Sequence, residues 1–401
     1  MENTSPNPSP HFLFIDRQGL LDTVLHALKH EPRIAMDTEA DSLHHYYEKL
    51  CLIQITAANR HFLLDPLAGL NLQPLFELLQ SKKIVFHGAD YDLRLLRRTY
   101  NFIPARIYDT AVAAQLLGYK AFGLAALIER HFGVVIPKTS QRADWSRRPL
   151  TDKMLEYAVN DTCRLLELAD ILDAELRELG RVEWRRQSTE RLIVDTATDR
   201  EVDHGERWRI HGWRRLHGRQ VAILRALWEW RESEGQKYDR PTFKIMGNDL
   251  LLDLAVWADE NPGKDLREFP HATRMFHGPR FETLKRAIRS AMQLSPQEWP
   301  KPPQNKGNGR PDPSVVQRAE RLRKTRNSIA ETLQLDPGVL APNWAIAAIS
   351  SAAPESVQSL GALGHLLPWQ AEAVGEAFLQ ALHEGNGSHA SPGISQQSVA
   401  V

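Results

Sequence analysis

The sequence predicts an α/β domain with a mixed sheet, followed by two small all-α domains. Strand and helix patterns alternate through residues 12–182, whereas strand patterns become scarce after Glu183. Two helical segments then follow, 208–294 and 314–384, which share one pattern of helices and turns. The length of 401 residues fits this division into three domains.

The strands of the α/β domain are predicted from short apolar runs, beginning at Arg33. The second and third runs are joined by the tight connection 58–60, which favours an antiparallel hairpin. The predicted strands are Arg33–Glu39, Leu50–Ala57, His61–Asp65, Lys83–His87 and Arg106–Asp109.

Helices are predicted where apolar residues recur every three or four positions. Because helical crossovers connect parallel strands, their presence beside a hairpin predicts a mixed sheet. Thr151 is predicted to cap the last helix, with Asp152 in its first turn. The predicted helices are Leu72–Gln80, Tyr91–Thr99, Ala111–Leu117, Gly123–Phe132 and Thr151–Leu179.

The two helical segments are interpreted as two copies of one module. Each has a long first helix, a turn containing Asp and Pro (239–241 and 336–337), and a further helix opened by Asn or Pro. The stretch 295–313 has the composition of a linker. Residues 385–401, rich in Gly, Ser and Gln, are predicted to form a disordered tail.

Composition excludes several classes of protein. Lys plus Arg equals Asp plus Glu, at 50 each, so any nucleic-acid binding must come from local patches. The two cysteines, Cys51 and Cys163, are too few for a disulfide framework or a zinc cage, which predicts a reducing cytoplasm. The polar, proline-rich N-terminus is not a signal peptide, and no apolar run is long enough to span a membrane.

Asp37 and Glu39 end the first predicted strand. Side chains alternate along a strand, so these two carboxylates share a face and Thr38 points to the other. Two carboxylates on one face of a buried strand repel each other unless a cation lies between them. Oxygen ligands of this kind suit Mg²⁺ or Mn²⁺. The pair therefore predicts a metal site.

Two further segments offer acidic partners for this pair. Asp92 lies on the helix face of Leu95 and Leu96 and is assigned to the site, whereas Asp90 is assigned to the helix cap; the alternative exchanges these roles. Tyr157 and Asp161 share one face of the last helix. A phenol beside a metal-binding carboxylate can orient an attacking water and take its proton.

The ordered set of motifs resembles the DEDD superfamily of 3′-to-5′ exonucleases, in the subgroup with tyrosine in the third motif, and within it the ribonuclease D family. This implies a ribonuclease H-like exonuclease domain. The helical segments resemble HRDC domains (helicase and ribonuclease D C-terminal), of which this family typically carries two. Residues 40–47 look more like the exosome-associated relatives, which bears on substrate preference. The matching segments are Asp37–Glu39, Cys51–Ile55, His87–Asp92, Asp109–Thr110, Ala143–Trp145, Arg148–Leu150 and Tyr157–Asp161.

The resemblance implies that Asp37, Glu39, Asp92 and Asp161 hold two divalent ions, Mg²⁺ or Mn²⁺, about 4 Å apart. Tyr157 would orient the attacking water, and nucleoside 5′-monophosphates would be released. The expected substrate is structured RNA such as tRNA precursors, and the expected state is a monomer. The alternatives are an exonuclease acting on single-stranded DNA and a non-catalytic nucleic-acid-binding protein.

Contacts with the terminal nucleotide are expected from residues beside the motifs. For His87 a core or hydrogen-bonding role is the alternative, and for Trp145 a structural one. The expected substrate-binding residues are Leu43, His44, Tyr46, His87 and Trp145.

Several other residues allow two interpretations. Asp109 is predicted to cap a helix rather than to bind metal, and Lys138 and Arg148 either meet phosphates or are surface charges. The basic, aromatic segment Arg207–Arg219 either tracks RNA or docks its helical module on the first domain.

Two arginines of the helical segments are predicted to be solvated. Arg231 would be the solvated end of the apolar stripe that contains Leu224, Leu227 and Trp228. The cluster Arg321–Arg326 would form a solvated helix face.

Overall fold

The structure is a computed structural model that describes residues 11–137, 139–198, 204–272, 278–301 and 312–383. Lys138, most of the predicted linker and the predicted tail 385–401 lie outside the described residues. Two compact units divide the chain. The first consists of Met1–Ile107, Val135–Leu166 and Ile193–Lys306, and the second of Tyr108–Val134, Glu167–Leu192 and Gly307–Val401.

A six-stranded sheet forms the centre of the α/β domain, in the order β1-β4-β3-β2-β5-β6. The predicted hairpin is confirmed, since β3 and β4 pair antiparallel. β2 pairs antiparallel with β3 and parallel with β5, so the sheet is mixed, as predicted. The strands are β1 Phe12–Ile15, β2 Arg33–Ala40, β3 Leu50–Ala57, β4 Arg60–Leu64, β5 Lys83–Phe86 and β6 Arg106–Asp109.

The first strand and the first helix were absent from the sequence prediction. β1 has four residues and pairs parallel with β4, and a run this short carries too little periodicity to be assigned. The helices of residues 18–197 are α1 Gln18–Leu28, α2 Gln73–Leu79, α3 Asp90–Tyr100, α4 Thr110–Leu116, α5 Leu124–Phe132, α6 Asp152–Thr162, α7 Leu165–Glu178 and α8 Val182–Ala197.

Two helix predictions need correction. The predicted helix Thr151–Leu179 is two helices, α6 and α7, and no Pro or Gly marks the interruption. Thr151 does cap α6, accepting a hydrogen bond from the Met154 amide. Asp90 is the first residue of α3 rather than its cap, and its carboxylate accepts hydrogen bonds from Arg94 one turn later.

The helical region contains the two predicted modules. In the first, the core is built from residues of that module, with Trp208, Leu227 and Phe281 among its buried members. Its helices are α9 Arg219–Tyr238, α10 Thr242–Ile245, α11 Asn248–Glu260 and α12 Pro279–Met292. Those of the second are α13 Pro313–Thr332, α14 Pro337–Leu340, α15 Asn343–Ala352, α16 Val357–Ala362 and α17 Pro368–His383.

A buried arginine shows that the modules are repeats. Arg231 donates hydrogen bonds to the Met246 carbonyl and to Asn248 Oδ1, 2.9 and 2.8 Å long. In the second module Arg326 makes the same two bonds, to Ala341 and Asn343, both 2.9 Å long. The prediction that both arginines are solvated was wrong, because each is buried and donates to acceptors at the start of a neighbouring helix.

Within the described parts of the chain, no helix is both long enough and apolar enough to cross a membrane.

Candidate active site

Strand β2 places Asp37 and Glu39 beside the buried strand β3. Asp37 lies opposite Gln54 and Glu39 opposite Leu52 in the antiparallel register. The register shifts directly after Glu39, so the strand ends its regular pairing where the acidic pair ends. The two carboxylates therefore project from the last regular part of a rigid central strand.

Helix α6 brings a third carboxylate to this pair. The hydroxyls of Thr162 on α6 and Thr56 on β3 are 2.9 Å apart, which fixes the helix on the sheet one residue beyond Asp161. Carboxylate oxygens of Asp37, Glu39 and Asp161 all lie within 4.8 Å of one another. The fold thus brings Asp161 to the Asp37 and Glu39 pair, which was predicted from a different motif.

Burial and mutual repulsion raise the pKa of each of these acids. Burial raises the pKa of Asp37 well above its ordinary range, and the charge of Asp161 raises it further. The pKa of Glu39 is raised by burial and then by Asp37, Asp161 and Asp92. The pKa of Asp161 is raised to about 7, mainly by burial. The ionised group is costly by itself, and a bound cation would offset that cost.

Asp92 lies on α3, close to the three grouped acids. Its carboxylate is buried and accepts a 2.5 Å hydrogen bond from the Thr38 hydroxyl. It contributes to the raised pKa of both Glu39 and Asp161, which places it within electrostatic range of them. The group with oxygens within 4.8 Å does not include Asp92. Sequence reasoning missed Thr38, which gave no signal beyond its position between two acids.

Tyr157 lies one helical turn before Asp161. Its hydroxyl is hydrogen-bonded to the Asp161 carboxylate, and burial with the nearby acids raises the pKa of the phenol far above its ordinary value. The ring packs against Trp145, with centroids 6.1 Å apart. Trp145 is only 1% exposed and belongs to a core cluster. Its side chain therefore has a structural role in the core.

The oxygen ligands that the three carboxylates offer suit a hydrated divalent cation. Three carboxylates supply hard oxygen ligands, as Mg²⁺ and Mn²⁺ require. Gln54, directly opposite Asp37, is fully buried, and its amide atoms have no hydrogen-bond partner among the described residues. A buried amide of this kind is normally satisfied. A hydrated ion held by the neighbouring carboxylates would offer this amide a hydrogen-bond partner, which supports the fit.

The loop that follows β2 carries three of the expected substrate-binding residues. Leu43 is 42% exposed, and His44 Nε2 lies 3.1 Å from the Arg142 carbonyl. Tyr46 is half-buried, and its hydroxyl donates a 3.0 Å hydrogen bond to Glu232 of the first helical module. His87, also half-buried, comes directly after β5. The structure brings the loop next to that module, a contact that the sequence did not predict.

Two charged residues have structural roles. Arg148 donates two 2.6 Å hydrogen bonds to Asp65 and a 2.8 Å bond to the Cys51 carbonyl. Its guanidinium therefore connects the segment before α6 to the sheet and does not face phosphates. Asp109 caps α4 by accepting from the Ala111 and Val112 amides, which confirms the predicted cap.

The basic, aromatic segment Arg207–Arg219 belongs to the architecture of the first module. Trp208 is buried in the core of that module, and Trp213 packs against it. The Arg209 guanidinium lies over both rings, 4.3 and 4.5 Å from their centroids. Arg215 and Arg219 pair with acids of the same module. Trp208 is only 2% exposed and therefore packs inside its own module instead of facing solvent.

Comparison with known proteins identifies two kinds of domain in the chain. A family model described as 3′-5′ exonuclease matches residues 12–177. A model described as HRDC domain matches 220–264 and 316–382.

Two relatives are both named Ribonuclease D. That of Nitrobacter hamburgensis is 30% identical over 377 residues, covering 90% of this chain and 93% of the relative. That of Pseudomonas paraeruginosa is 30% identical over 363 residues, covering 88% and 92%. Both alignments span the α/β domain and the helical modules.

A solved structure supports the fold. RNase D of Escherichia coli, described as an exoribonuclease involved in structured RNA processing, has a TM-score of 0.69 and 24% identity, and the match covers 93% of this chain and 99% of that one. Sequence relatives, domain order and the acidic group agree, and the chain belongs to the ribonuclease D family of 3′-to-5′ exoribonucleases.

Proposed function

We propose that this exoribonuclease trims the 3′ ends of structured RNA, such as tRNA precursors, and releases nucleoside 5′-monophosphates. The observation that carries the proposal is the group of three half-buried carboxylates, Asp37, Glu39 and Asp161, each of which offers an oxygen within 4.8 Å of the others. With Asp92 they would hold two divalent ions, Mg²⁺ or Mn²⁺. When bound, such ions lower the pKa of a water molecule and stabilise the leaving oxygen.

The remaining roles belong to side chains of the chain itself. The raised pKa of Tyr157 keeps its phenol neutral, so we assign it the orientation of the attacking water rather than removal of its proton. Trp145 supports the Tyr157 ring from the core. The terminal nucleotide would be contacted or bordered by Leu43, His44 and Tyr46. His87, near the start of α3, would also bind the substrate.

The domain boundaries belong to the same proposal. The catalytic domain would span 12–182 and the HRDC modules 208–294 and 314–384, widening the RNA-binding surface. We further propose a monomer in the cytoplasm, where Cys51 and Cys163 would stay reduced.

The choice between the two aspartates at the start of α3 gives a matched test. Asp92→Asn removes a buried charge beside the site, whereas Asp90→Asn changes an exposed residue two positions away. Digestion of 3′-labelled RNA in Mn²⁺ should fall by roughly 100-fold or more for Asp92→Asn and stay unchanged for Asp90→Asn. The reverse result would exchange their roles.

Two separate experiments test which nucleic acid is the substrate and whether the protein is an enzyme. Side-by-side digestion of 3′-labelled RNA and single-stranded DNA should favour RNA, and much faster digestion of DNA would contradict the proposed substrate. Asp37→Ala should abolish release of nucleoside 5′-monophosphates. If this variant processed RNA like the parent, the protein would act as a nucleic-acid-binding protein instead.

A further inference from the structure

The loop 41–49, here named the β2–β3 loop, connects the strand of Asp37 and Glu39 to the next strand. Its base is fixed from within. Asp41 is fully buried, and its carboxylate accepts a 2.7 Å hydrogen bond from the Lys49 amide and lies 2.9 Å from the Lys49 ammonium. The two ends of the loop are therefore tied together, whereas its tip extends away from the sheet and needs another support.

The tip is held by one carboxylate of the first helical module. Asp239 Oδ1 accepts hydrogen bonds from the Tyr46 and Tyr47 amides, 2.9 and 3.0 Å long. Asp239 Oδ2 lies 2.7 Å from His45 Nδ1. The bond from the Tyr47 amide is the main cause that lowers the pKa of Asp239, which therefore acts as a charged acceptor. Three consecutive loop residues converge on this side chain.

The side chain of Tyr46 is fitted to the same helix end. Its hydroxyl donates to Glu232 and accepts a 3.2 Å hydrogen bond from Gln236. Its ring passes so close to Gly235 that a Cβ at this position would lie 2.8 Å from Tyr46 Cδ2. A residue larger than glycine would push the ring and the loop outwards.

The second module shows which of these features the repeat itself requires. Aligned on the repeated arginines, Asp239 corresponds to Gln334 and Gly235 to Ala330. Asp239 directly follows α9 and Gln334 lies two residues beyond α13, and both have the left-handed conformation, with φ of 46° and 54°. That turn therefore needs neither the carboxylate nor the glycine. Both differences fall where the first module meets the β2–β3 loop.

We propose that Asp239 is a positioning residue of the nuclease reaction, through which the first helical module sets the conformation of the β2–β3 loop. The inference rests on the proposed contact of Leu43 and His44 with the terminal nucleotide. Asp239 touches neither substrate nor metal ligands in this scheme. Its hydrogen bonds fix the backbone at 46–47. They thereby orient the side chains of Leu43 and His44, which precede these positions and follow the strand of Asp37 and Glu39.

The test compares Asp239→Ala, which removes all the acceptors, with Asp239→Asn, which retains one carbonyl oxygen for the two amides. Asp253→Ala is the matched control, because Asp253 is an acid of the same module that pairs with Arg215, away from the loop. Hydrogen exchange of the Tyr46 and Tyr47 amides and steady-state digestion of 3′-labelled RNA are measured for each protein.

We expect Asp239→Ala to lose amide protection and to raise KM for RNA by roughly 10-fold to 100-fold, with a smaller change in kcat. Asp239→Asn should recover most of both properties, and Asp253→Ala should behave as the parent. A merely structural role would reduce the active fraction, which lowers kcat and leaves KM unchanged. That pattern, or unchanged amide protection in Asp239→Ala, would overturn the proposal.

A Leu43→Ala variant separates this inference from the proposed function. If Leu43→Ala leaves KM unchanged, the loop does not bind the terminal nucleotide and the proposed substrate contacts are wrong. If Leu43→Ala raises KM but Asp239→Ala does not, the substrate contacts stand and the positioning role of Asp239 is wrong. The exchange measurement needs no activity, so it reports on the hydrogen bonds to Asp239 in either case.

Discussion

The Thr38 hydroxyl donates a 2.5 Å hydrogen bond to the Asp92 carboxylate, and both side chains are buried. This bond joins β2, which carries two of the acids, to the first turn of α3, which carries another. Thr38→Val keeps the shape of the side chain and removes the donor. We expect the free energy of unfolding to fall by about 1–3 kcal/mol, measured in urea, because Asp92 loses a partner.

The same variant should also lower kcat, because Asp92 is no longer fixed relative to β2. Ser350→Ala is the control: it removes another buried hydroxyl, which donates to the Ile346 carbonyl in α15. That variant should lose stability without losing kcat in RNA digestion. If Thr38→Val were destabilised but retained full kcat, the bond would be structural only.

Removal of the Tyr157 hydroxyl tests the proposed orientation of the attacking water. Tyr157→Phe keeps the ring against Trp145 but loses the hydrogen bond to Asp161. We expect kcat to fall by roughly 100-fold to 10,000-fold, the usual contribution of a positioned proton-transfer or orienting group. The increase in melting temperature on adding Mn²⁺ should persist, because the carboxylates remain.

Tyr100→Phe provides the matched control for Tyr157→Phe. Tyr100 ends α3, and its ring lies against Phe76 with centroids 4.6 Å apart. Its kcat should equal that of the parent enzyme. Equal losses in the two variants would indicate that loss of a tyrosine hydroxyl perturbs the fold, and would remove the special role of Tyr157.

The features that sequence could predict are those with local periodicity. Strand alternation was sufficient to predict that Asp37 and Glu39 share a face. Helical spacing was sufficient to predict the same of Tyr157 and Asp161, because each relation depends only on the regular geometry of one element. The three-acid group confirms that these motifs converge.

The features that sequence missed depend on tertiary contacts. The sequence predicts a solvated helix end at Arg231 and a solvated helix face that includes Arg326, because arginine is usually exposed. Both are buried, and their acceptors lie fifteen and seventeen residues further along the chain. The support of Tyr46 by Asp239 joins residues 193 positions apart. No pattern within a single element could reveal such a contact.

Proton competition should make metal binding depend on pH. Burial raises the pKa of Asp161 from an ordinary value of 3.8 to about 7. In the metal-free protein, folding therefore favours the protonated acid, and stability falls as pH rises between these two values. A cation requires the ionised forms of Asp161, Asp37 and Glu39, whose pKa values are all raised, so its affinity should rise with pH through about 7.

Titration calorimetry with Mn²⁺ checks this dependence. The dissociation constant should increase by about tenfold for each pH unit below about 7, for each proton displaced. Titrations in two buffers with different enthalpies of ionisation should show proton release on binding near pH 6 and little near pH 9. An affinity that is equal at both values would contradict the raised pKa of Asp161.

The buried arginine of the first module should be far more important for stability than an exposed arginine on the same helix. Arg231→Met leaves the Met246 carbonyl and Asn248 Oδ1 without their donor, and we expect the free energy of unfolding to fall by about 3 kcal/mol or more. Arg225 forms an exposed pair with Glu229, and Arg225→Met should cost only about 0.5 kcal/mol. Urea unfolding of both variants measures the difference. Each substitution replaces one arginine of α9 by methionine. Equal losses would therefore mean that the buried hydrogen bonds contribute no more to stability than a surface ion pair.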